Sequence, residues 1–364
     1  MSNTNLKTAK KSKNDEFYTL MEDIEKEMRY YKDFFKGKVV YCNCDDARES
    51  NFFKYFSLNF EFLGLKKLIS TGYKADGKGV VLVYEGDKNG NRRVDNEEII
   101  VNELNGDGDF RSEECIEYLK ECDVVVTNPP FSLFRQYVKQ LMDYNKKFII
   151  IGEQNALTYK EIFPLIKDNK IWWGKSIHSG DRKFYVPDNY PLNASTCGID
   201  ENGKRFVNVK GIRWWTNVKE VINNEPLDLY KRYSFEDYPK YDNYLGFNVY
   251  KTCDIPMDYD GVMAVPITFL KYYCPSQFTI IDGCNRYLIL DSFKVNENIK
   301  QFRKEATDVN GVSKYFRVLI KKKDDLTPIP AQFEIIKFRK GDDDKDLSVN
   351  GKTPYFRILI KKLS

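Results

Sequence analysis

The sequence has little histidine and no long apolar run. His178 is the only histidine among 364 residues, which disfavours a Ser/His or Cys/His nucleophilic mechanism. The eight cysteines are scattered, and Cys42 and Cys44 form the only close pair, so we expect neither a structural zinc site nor any other metal. No apolar stretch approaches the ~20 residues of a membrane span. The lysine-rich start, residues 1–13, reads as a disordered basic leader and lacks the apolar core of a signal peptide. These absences predict a globular, cytoplasmic protein.

Acidic and basic residues nearly cancel over the whole chain, but they are unevenly distributed. The net charge is +4, whereas residues 271–364 alone hold 19 Lys or Arg and 12 Asp or Glu, a surplus of +7 that leaves −3 for the preceding residues. A basic end on a nearly neutral body is typical of a module that binds a polyanion. A solvated lysine-rich surface would give the same charge count.

Strand-like and helix-like segments alternate through the first part of the chain. This alternation predicts an α/β fold, with a Rossmann-like, doubly wound and mostly parallel sheet. Two apolar runs flank the turn-rich residues 86–91 and predict a β-hairpin inserted at the sheet edge. The predicted strands are Val39–Cys44, Lys67–Thr71, Gly79–Glu85, Glu98–Leu104, Val124–Thr127, Lys147–Gly152, Ile171–Trp173, Lys183–Val186 and Gly211–Thr216. The predicted helices are Leu20–Phe35, Ser50–Leu63, a helix ending near Glu121, and Leu133–Tyr144.

The loop after the strand Val124–Thr127 carries the clearest chemical signal. Asn128 is followed by Pro129, Pro130 and Phe131. The two prolines cannot donate to a strand ladder, and each fixes its own φ near −65°, so the loop is stiff and extended. Ligands of open α/β sheets bind outside the carboxyl ends of strands, where this loop lies. An ordinary rigid turn is the alternative interpretation.

Such a loop suits methylation of an exocyclic amine. The Asn128 side-chain oxygen and a neighbouring proline carbonyl can accept both N–H groups of the amine. This directs the nitrogen lone pair toward an electrophilic methyl group, while the Phe131 ring can stack on a flat base. The loop resembles the Asn-Pro-Pro-Phe loop of amino-methyltransferases that use S-adenosylmethionine, chiefly those that modify N6 of adenine. We therefore expect Asn128, Pro129, Pro130 and Phe131 to be the catalytic residues.

Candidate cofactor residues follow the first strand and precede the helix before Asn128. Asp45 or Asp46 could face the amino-acid portion or the ribose of S-adenosylmethionine, and Asp109 with Phe110 could read its adenine. Loop or helix-capping roles are the commoner fate of such Asp residues. The Gly-x-Gly loop common in methyltransferases is absent after the first strand. No acidic residue clearly ends the second strand, where Asp76 and Glu85 are weak candidates for a ribose ligand.

The C-terminal part contains an internal repeat. Residues 310–322 recur as residues 350–362, and Gln277–Ile281 recurs as Gln332–Ile336. We interpret residues 277–323 and 332–362 as two copies of one β unit. The copies form either a stable duplicated hairpin without a partner or a module that contacts nucleic acid. In the second case the phosphate-binding residues would be Arg317, Lys321, Lys322, Arg357, Lys361 and Lys362. A loop-rich stretch starting at residue 223 predicts the boundary between residues 14–222 and residues 223–364.

Four segments in combination resemble the EcoRI methylase family of adenine-specific DNA methyltransferases. They are Lys13–Thr19 (KNDEFYT), Cys44–Asp46 (CDD), Leu63–Ile69 (LGLKKLI) and Gly261–Leu270 (GVMAVPITFL). The resemblance covers nearly the whole chain. It implies a Rossmann-type methyltransferase domain over residues 14–222 and a target-recognition region over residues 223–364. It also implies that Phe17, Tyr18 and Thr19 line the pocket for S-adenosylmethionine.

The expected function is therefore methyl transfer from S-adenosylmethionine to N6 of a flipped adenine in double-stranded DNA. The setting would be restriction–modification or phage DNA protection in the cytoplasm of a bacterial or phage-infected cell. A cognate restriction endonuclease would be a partner that activity does not require. Two alternatives remain open at this point. One is methylation of RNA or of a protein glutamine, and the other is a catalytically inactive nucleic-acid-binding protein.

Overall fold

The computed structural model describes residues 17–74, 77–192, 195–222, 224–239, 241, 246–283 and 356–363, with the backbone of the strands at 315–320 and 333–339. The chain divides into two compact units. The first comprises Met1–Ile162 and Lys170–Asn223, and the second comprises Phe163–Asn169 and Asn224–Ser364. Within the described residues, no helix has the length and apolar character needed to cross a membrane.

The first unit alternates strands with helices. Its strands are β1 (Tyr18–Thr19), β2 (Val39–Cys42), β3 (Lys67–Gly72), β4 (Val80–Tyr84), β5 (Ile99–Glu103), β6 (Val124–Thr127), β7 (Lys147–Glu153), β8 (Trp172–Trp173), β9 (Asp181–Tyr185), β10 (Cys197–Ile199), β11 (Arg205–Lys210) and β12 (Ile212–Thr216). Its α-helices are α1 (Met21–Met28), α2 (Asn51–Leu58), α3 (Phe60–Leu63), α4 (Glu113–Glu121) and α5 (Phe134–Asp143). Its 3₁₀ helices span Arg29–Phe35, Asn96–Glu98, Gln154–Thr158 and Lys219–Val221.

The main sheet of the first unit has eight strands among the described residues, in the order β5-β4-β3-β2-β6-β7-β12-β8. β3, β2, β6 and β7 are mutually parallel, and β4, β5 and β12 are each antiparallel to their neighbours. Every residue of β2 and β6 is buried, as expected for apolar strands covered on both faces. The predicted α/β fold is confirmed, but this sheet is mixed rather than mostly parallel, because only the β3-β2, β2-β6 and β6-β7 pairings are parallel.

The strand order reverses direction at β2. The next strand in the chain, β3, pairs with one side of β2, and β6 pairs with the other side. Ligands of open α/β sheets bind at such a switch point, outside the carboxyl ends of the strands. The residues that follow β2 and β6 therefore lie side by side at the edge where a ligand is expected.

Two sequence-predicted helices are interrupted for local reasons. The segment predicted as Leu20–Phe35 is α-helical through Met28 and tightens into a 3₁₀ helix from Arg29. The segment predicted as Ser50–Leu63 breaks at Asn59, whose side-chain amide donates to the Tyr55 carbonyl at 2.8 Å and so competes with the backbone. The Ser50 hydroxyl caps α2 by accepting from the Phe52 amide at 3.2 Å.

A close approach of three glycines shapes the loop before α4. A Cβ atom at Gly108 would lie 2.3 Å from the Gly72 carbonyl oxygen, and one at Gly79 would lie 2.8 Å from the Gly108 backbone. Gly108 also has a φ of +82°, a conformation that favours glycine. These contacts hold the loop containing Asp109 against the carboxyl end of β3.

A second sheet of the first unit has the order β1-β9-β11-β10. Tyr18 and Thr19 pair antiparallel with Tyr185 and Phe184 of β9. This pairing fixes the start of the described chain.

The second unit is rich in β-structure. It contains α6 (Phe163–Lys167) and the strands β13 (Phe247–Asn248), β14 (Met263–Pro266), β15 (Phe278–Gly283), β16 (Tyr315–Ile320), β17 (Phe333–Arg339) and β18 (Arg357–Lys362). Its 3₁₀ helices span Thr252–Asp254 and Ile267–Lys271.

Strands pair across the two predicted repeat copies. β18 lies between β14 and β15 in a sheet of order β13-β14-β18-β15, and β16 pairs only with β17 among the described strands. In sequence, β15 and β16 belong to the first copy, and β17 and β18 to the second. Both pairs carry a register shift, which leaves Ile281 in β15 and the equivalent Ile336 in β17 without a partner residue.

Candidate active site

Asn128 follows β6 and is only 5% exposed. Its side-chain amide nitrogen donates to the Phe17 carbonyl. Its side-chain oxygen is buried and meets no hydrogen-bond donor among the described residues. Leaving a buried acceptor unpaired costs about 1–3 kcal/mol, which makes this oxygen a candidate ligand-binding atom.

A backbone hydrogen bond closes the turn that follows the two prolines. The Leu133 amide donates to the Pro130 carbonyl at 2.9 Å and closes the turn into α5. The Pro130 carbonyl therefore serves the turn. Of the two proline carbonyls considered as acceptors for an amine, Pro129 is the better candidate.

The Phe131 ring lies inside an aromatic cluster and is 4% exposed. Its centroid is 5.5 Å from that of Phe17 and 6.3 Å from that of Phe184. The sequence suggested that this ring stacks on a base. In this conformation the ring is covered by protein, so stacking would require movement of a neighbouring side chain.

Phe17, Tyr18 and Thr19 lie beside the Asn128 loop. The Asn51 side-chain amide donates to the Thr19 carbonyl at 2.7 Å, and the Phe17 carbonyl accepts from Asn128. The buried Thr19 hydroxyl has no partner among the described residues. The structure thus brings together two segments that are more than 100 residues apart in the chain.

The turn after β2 takes the place of the missing Gly-x-Gly loop. Cys44 adopts a φ of +72°, the left-handed conformation that a glycine usually occupies. The Asn43 carbonyl accepts from the Thr127 hydroxyl, and the Asn43 side-chain oxygen accepts from the Tyr137 hydroxyl. Burial raises the pKa of Tyr137 well above its usual value, so this hydroxyl keeps the proton that it donates. These hydrogen bonds connect the ends of β2 and β6.

Asp45 and Asp46, which the sequence could not separate, occupy different environments. Asp45 is 7% exposed, and one of its carboxylate oxygens accepts from the Ser50 hydroxyl at 3.1 Å. Asp46 is exposed, and its carboxylate accepts from the Arg48 amide at 2.9 Å, as is usual in a turn. Asp45 is therefore the better candidate for a cofactor contact.

Tyr137 connects Asp109 and Phe110 to the turn after β2, because it contacts both Phe110 and Asn43. The Phe110 and Tyr137 rings meet edge-on with centroids 4.9 Å apart. The Asp109 carboxylate accepts two hydrogen bonds from the Arg111 guanidinium, at 2.8 and 2.5 Å. The hydrogen bonds from Arg111 lower the pKa of Asp109. Reading an adenine amino group would therefore use the remaining lone pairs of an already paired carboxylate.

One of the two weak candidates for a ribose ligand lies at the wrong edge. Glu85 follows β4, which is antiparallel to β3, and Tyr84 pairs with Leu68 near the start of β3. Glu85 is thus at the amino ends of the parallel strands, away from the switch point. Asp76 lies outside the described residues. Within the described ranges, no group of three or more His, Cys, Asp or Glu side chains is arranged to hold a metal ion.

The comparison with protein families identifies the chain. The model for the adenine-specific methyltransferase EcoRI family matches residues 5–323. The chain belongs to this family. It is 47% identical to the type II methyltransferase M.EcoRI of Escherichia coli over 336 residues. This match covers 88% of this chain and 97% of that protein. The type II methyltransferase M.MgeORF184P of Mycoplasma genitalium is 40% identical over 320 residues, covering 86% and 97%. M.MpnI of Mycoplasma pneumoniae is 40% identical over 325 residues, covering 87% and 98%.

The cations that the sequence suggested for DNA binding by this EcoRI-family methyltransferase have varied environments. The Arg357 side chain donates to the Asn248 side-chain oxygen at 2.8 Å. The Lys362 ammonium donates to the Met257 carbonyl and lies 3.6 Å from the Asp260 carboxylate. Lys361 is exposed. Arg317 lies on β16, where only the backbone is described, and Lys321 and Lys322 are outside the described residues.

Sequence reasoning missed three polar residues of this family member. Asn43 and Tyr137 were passed over because a lone Asn in a turn and a Tyr in a helix carry no motif. Arg213, on β12, was also missed, although an arginine inside the apolar run Ile212–Thr216 is unusual in a buried strand.

Proposed function

We propose that the protein transfers a methyl group from S-adenosylmethionine to N6 of adenine in double-stranded DNA. The unpaired, buried side-chain oxygen of Asn128 at the switch point of the sheet carries this proposal. Membership of an adenine-specific methyltransferase family supports the choice of adenine. DNA is supported by the type II methyltransferases to which the chain is similar.

The Asn128 loop would hold the amine by two acceptors. The Asn128 side-chain oxygen and the Pro129 carbonyl would each accept one N–H of the adenine amino group, which leaves the nitrogen lone pair free to attack. The donation from Asn128 to the Phe17 carbonyl keeps the side-chain oxygen directed away from that carbonyl. The residues would therefore act by positioning the amine and by excluding water. The new C–N bond would replace the methyl–sulfur bond of S-adenosylmethionine, with the thioether as leaving group, and the N6 proton would then pass to solvent.

The residues around the switch point fit S-adenosylmethionine. Asp45 offers a buried carboxylate, and Thr19 offers a buried hydroxyl without a partner among the described residues. Phe17–Thr19, Asp45 and the Asp109–Phe110 loop would hold the cofactor, which supplies an electrophilic methyl group when bound. Asp46, by its exposure and its turn contact, would contribute least.

The domain roles follow from the same proposal. The first unit would be a Rossmann-like methyltransferase domain, with β4 and β5 as an inserted hairpin. The second unit would be the target-recognition region, which selects the sequence context of the target adenine. In a restriction–modification setting the enzyme would protect DNA without needing a cognate endonuclease for its activity.

The decisive experiment is methyl incorporation by the purified protein alone. Labelled S-adenosylmethionine is offered with DNA, with RNA and with a protein extract, and the labelled product is digested and identified. We expect N6-methyladenine in DNA, and sequencing that reads modified adenines then gives the target site. Label found only in RNA or in protein glutamine, or in none of the three, would overturn the proposal.

A further inference from the structure

Arg213 is a buried arginine without an acidic partner. It is 5% exposed, and no carboxylate of a described residue forms an ion pair with it or raises its pKa. One N–H donates to the Ile212 carbonyl at 2.6 Å, and the guanidinium lies 5.1 Å from the centre of the Trp173 ring. Its Nε is buried and has no partner among the described residues.

This arrangement is costly for the molecule on its own. A buried ion without a counter-ion is among the least favourable features of a protein interior. Burial lowers the pKa of Arg213 to about 10, which still leaves the side chain charged at neutral pH. Part of this lowering comes from the positive charge of the neighbouring Arg182. Two cationic side chains thus lie near each other, and the more deeply buried of them is Arg213.

Arg213 lies at the same edge of the sheet as Asn128. It pairs with Gly152 near the carboxyl end of β7, and β7 pairs with β6. Neighbouring strands are about 4.8 Å apart, so the Arg213 backbone lies about 10 Å from the strand that ends at Asn128. It is on the side of β6 away from β2 and hence away from Asp45 and Asp46, which follow β2.

The Asn128 loop also packs toward this position. A Cβ atom at Gly152 would lie 2.3 Å from the ring of Phe134, which begins α5 directly after the loop. The Phe134 ring is 5.7 Å from that of Trp215, two residues after Arg213. The offset between Arg213 and Asn128 is therefore built into the sheet.

We propose that Arg213 binds a phosphate of the DNA backbone next to the target adenine. The phosphate would supply the counter-ion that no described residue provides, by charge-assisted hydrogen bonds from the guanidinium. The inference rests on the proposed function. The 5% exposure of Arg213 implies that a side-chain rearrangement accompanies DNA binding.

The test compares Arg213→Met with Arg213→Lys, and uses Arg205→Met as a matched control. Arg205 is an arginine of the same unit whose guanidinium also donates to a backbone carbonyl, that of Tyr190 at 3.1 Å. For Arg213→Met we expect a melting temperature at or above that of the wild type, because an unpaired buried charge is removed. We also expect DNA affinity to fall about tenfold or more, and the slope of log affinity against log salt to shrink by about one. Arg213→Lys should retain the wild-type slope, and Arg205→Met should leave it unchanged.

Three outcomes would overturn the assignment. A lower melting temperature or loss of folding in Arg213→Met, with a wild-type salt slope in a folded Arg213→Gln, would make Arg213 structural. An unchanged salt slope in a stable Arg213→Met would exclude a phosphate contact. Weaker binding of S-adenosylhomocysteine without DNA would place the oxyanion on the cofactor. Failure of the proposed function looks different, since the wild-type protein itself would then neither bind nor methylate DNA.

Discussion

The switch-point edge of the first unit and strand β18 of the second unit treat their polar side chains in opposite ways. At the edge, the Asn128 oxygen, the Thr19 hydroxyl and the Arg213 Nε are buried without partners among the described residues. On β18, Arg357 is bonded to Asn248, and Lys362 is held by Met257 and Asp260. The first set is costly unless a ligand completes it, whereas the second set is already satisfied within the protein.

This difference separates residues that await a ligand from residues that hold the fold together. Apart from Arg213, the sequence suggested the residues of both groups as binding residues, because it shows residue types and not their partners. The partners of Arg357 and Lys362 within the protein favour a structural role for these two cations. Lys361, which is exposed on the same strand, is the better candidate for a phosphate contact.

The largest expected effect is on methyl transfer by Asn128→Ala. We expect the single-turnover rate to fall about 10²- to 10³-fold, as when one preorganised hydrogen-bonding group is removed from an active site, with DNA affinity nearly unchanged. The control is Asn51→Ala, because the Asn51 amide also donates to a carbonyl of the Phe17–Thr19 segment. Equal losses in the two variants would show that anchoring of this segment, rather than the free Asn128 oxygen, limits the reaction.

The next effect concerns the glycines that shape the Asp109 loop. Gly108→Ala would place a Cβ atom 2.3 Å from the Gly72 carbonyl oxygen, at a φ of +82°. Gly90→Ala has a similar φ of +76° but nothing within 4 Å, and so isolates the cost of the conformation, about 1–2 kcal/mol. We expect Gly108→Ala to lower the free energy of unfolding by about 1–3 kcal/mol more than Gly90→Ala in urea titrations. Similar losses would mean that the loop moves away from β3 at little cost.

A smaller effect is expected at Thr127, which connects the ends of β2 and β6. Thr127→Val keeps the shape but leaves the Asn43 carbonyl without its donor, whereas Thr127→Ser keeps the hydroxyl. A loss of about 1.4 kcal/mol corresponds to a tenfold fall in kcat/KM. We expect such a fall in Thr127→Val and near wild-type kcat/KM in Thr127→Ser. If both variants were equally active, the connection would have no part in positioning Asn128.

The smallest effects are expected on β18. Lys361→Ala should weaken DNA binding a few-fold and lower the salt-dependence slope by about one. Lys362→Ala should leave this slope unchanged and lower the free energy of unfolding by about 1 kcal/mol or less, since its ion pair lies at the surface. A smaller salt slope in Lys362→Ala, with an unchanged slope in Lys361→Ala, would contradict the distinction between the exposed lysine and the lysine held by the protein.

Sequence patterns were informative where one residue type has one physical consequence. The buried runs at β2 and β6 and the proline-stiffened loop after Thr127 are of this kind. Contacts between distant segments were not accessible, because neither residue signals its partner. The bond from Asn128 to Phe17, the Asn43 connection and the pairing of β15 with β18 all depend on tertiary packing. The short strands β1 and β10 lacked a clear alternation and were missed for the same reason. The longer strand β11 was missed although Val207 and Val209 alternate with polar residues.

The most direct test of the account is a structure of the protein with S-adenosylhomocysteine and an unmethylated DNA duplex. The duplex would contain the target site that sequencing of the methylated DNA has identified. We predict that N6 of the target adenine lies within hydrogen-bonding distance of the Asn128 side-chain oxygen, at about 2.7–3.2 Å. A target adenine bound elsewhere, or an Asn128 oxygen paired with a protein donor in that complex, would contradict it.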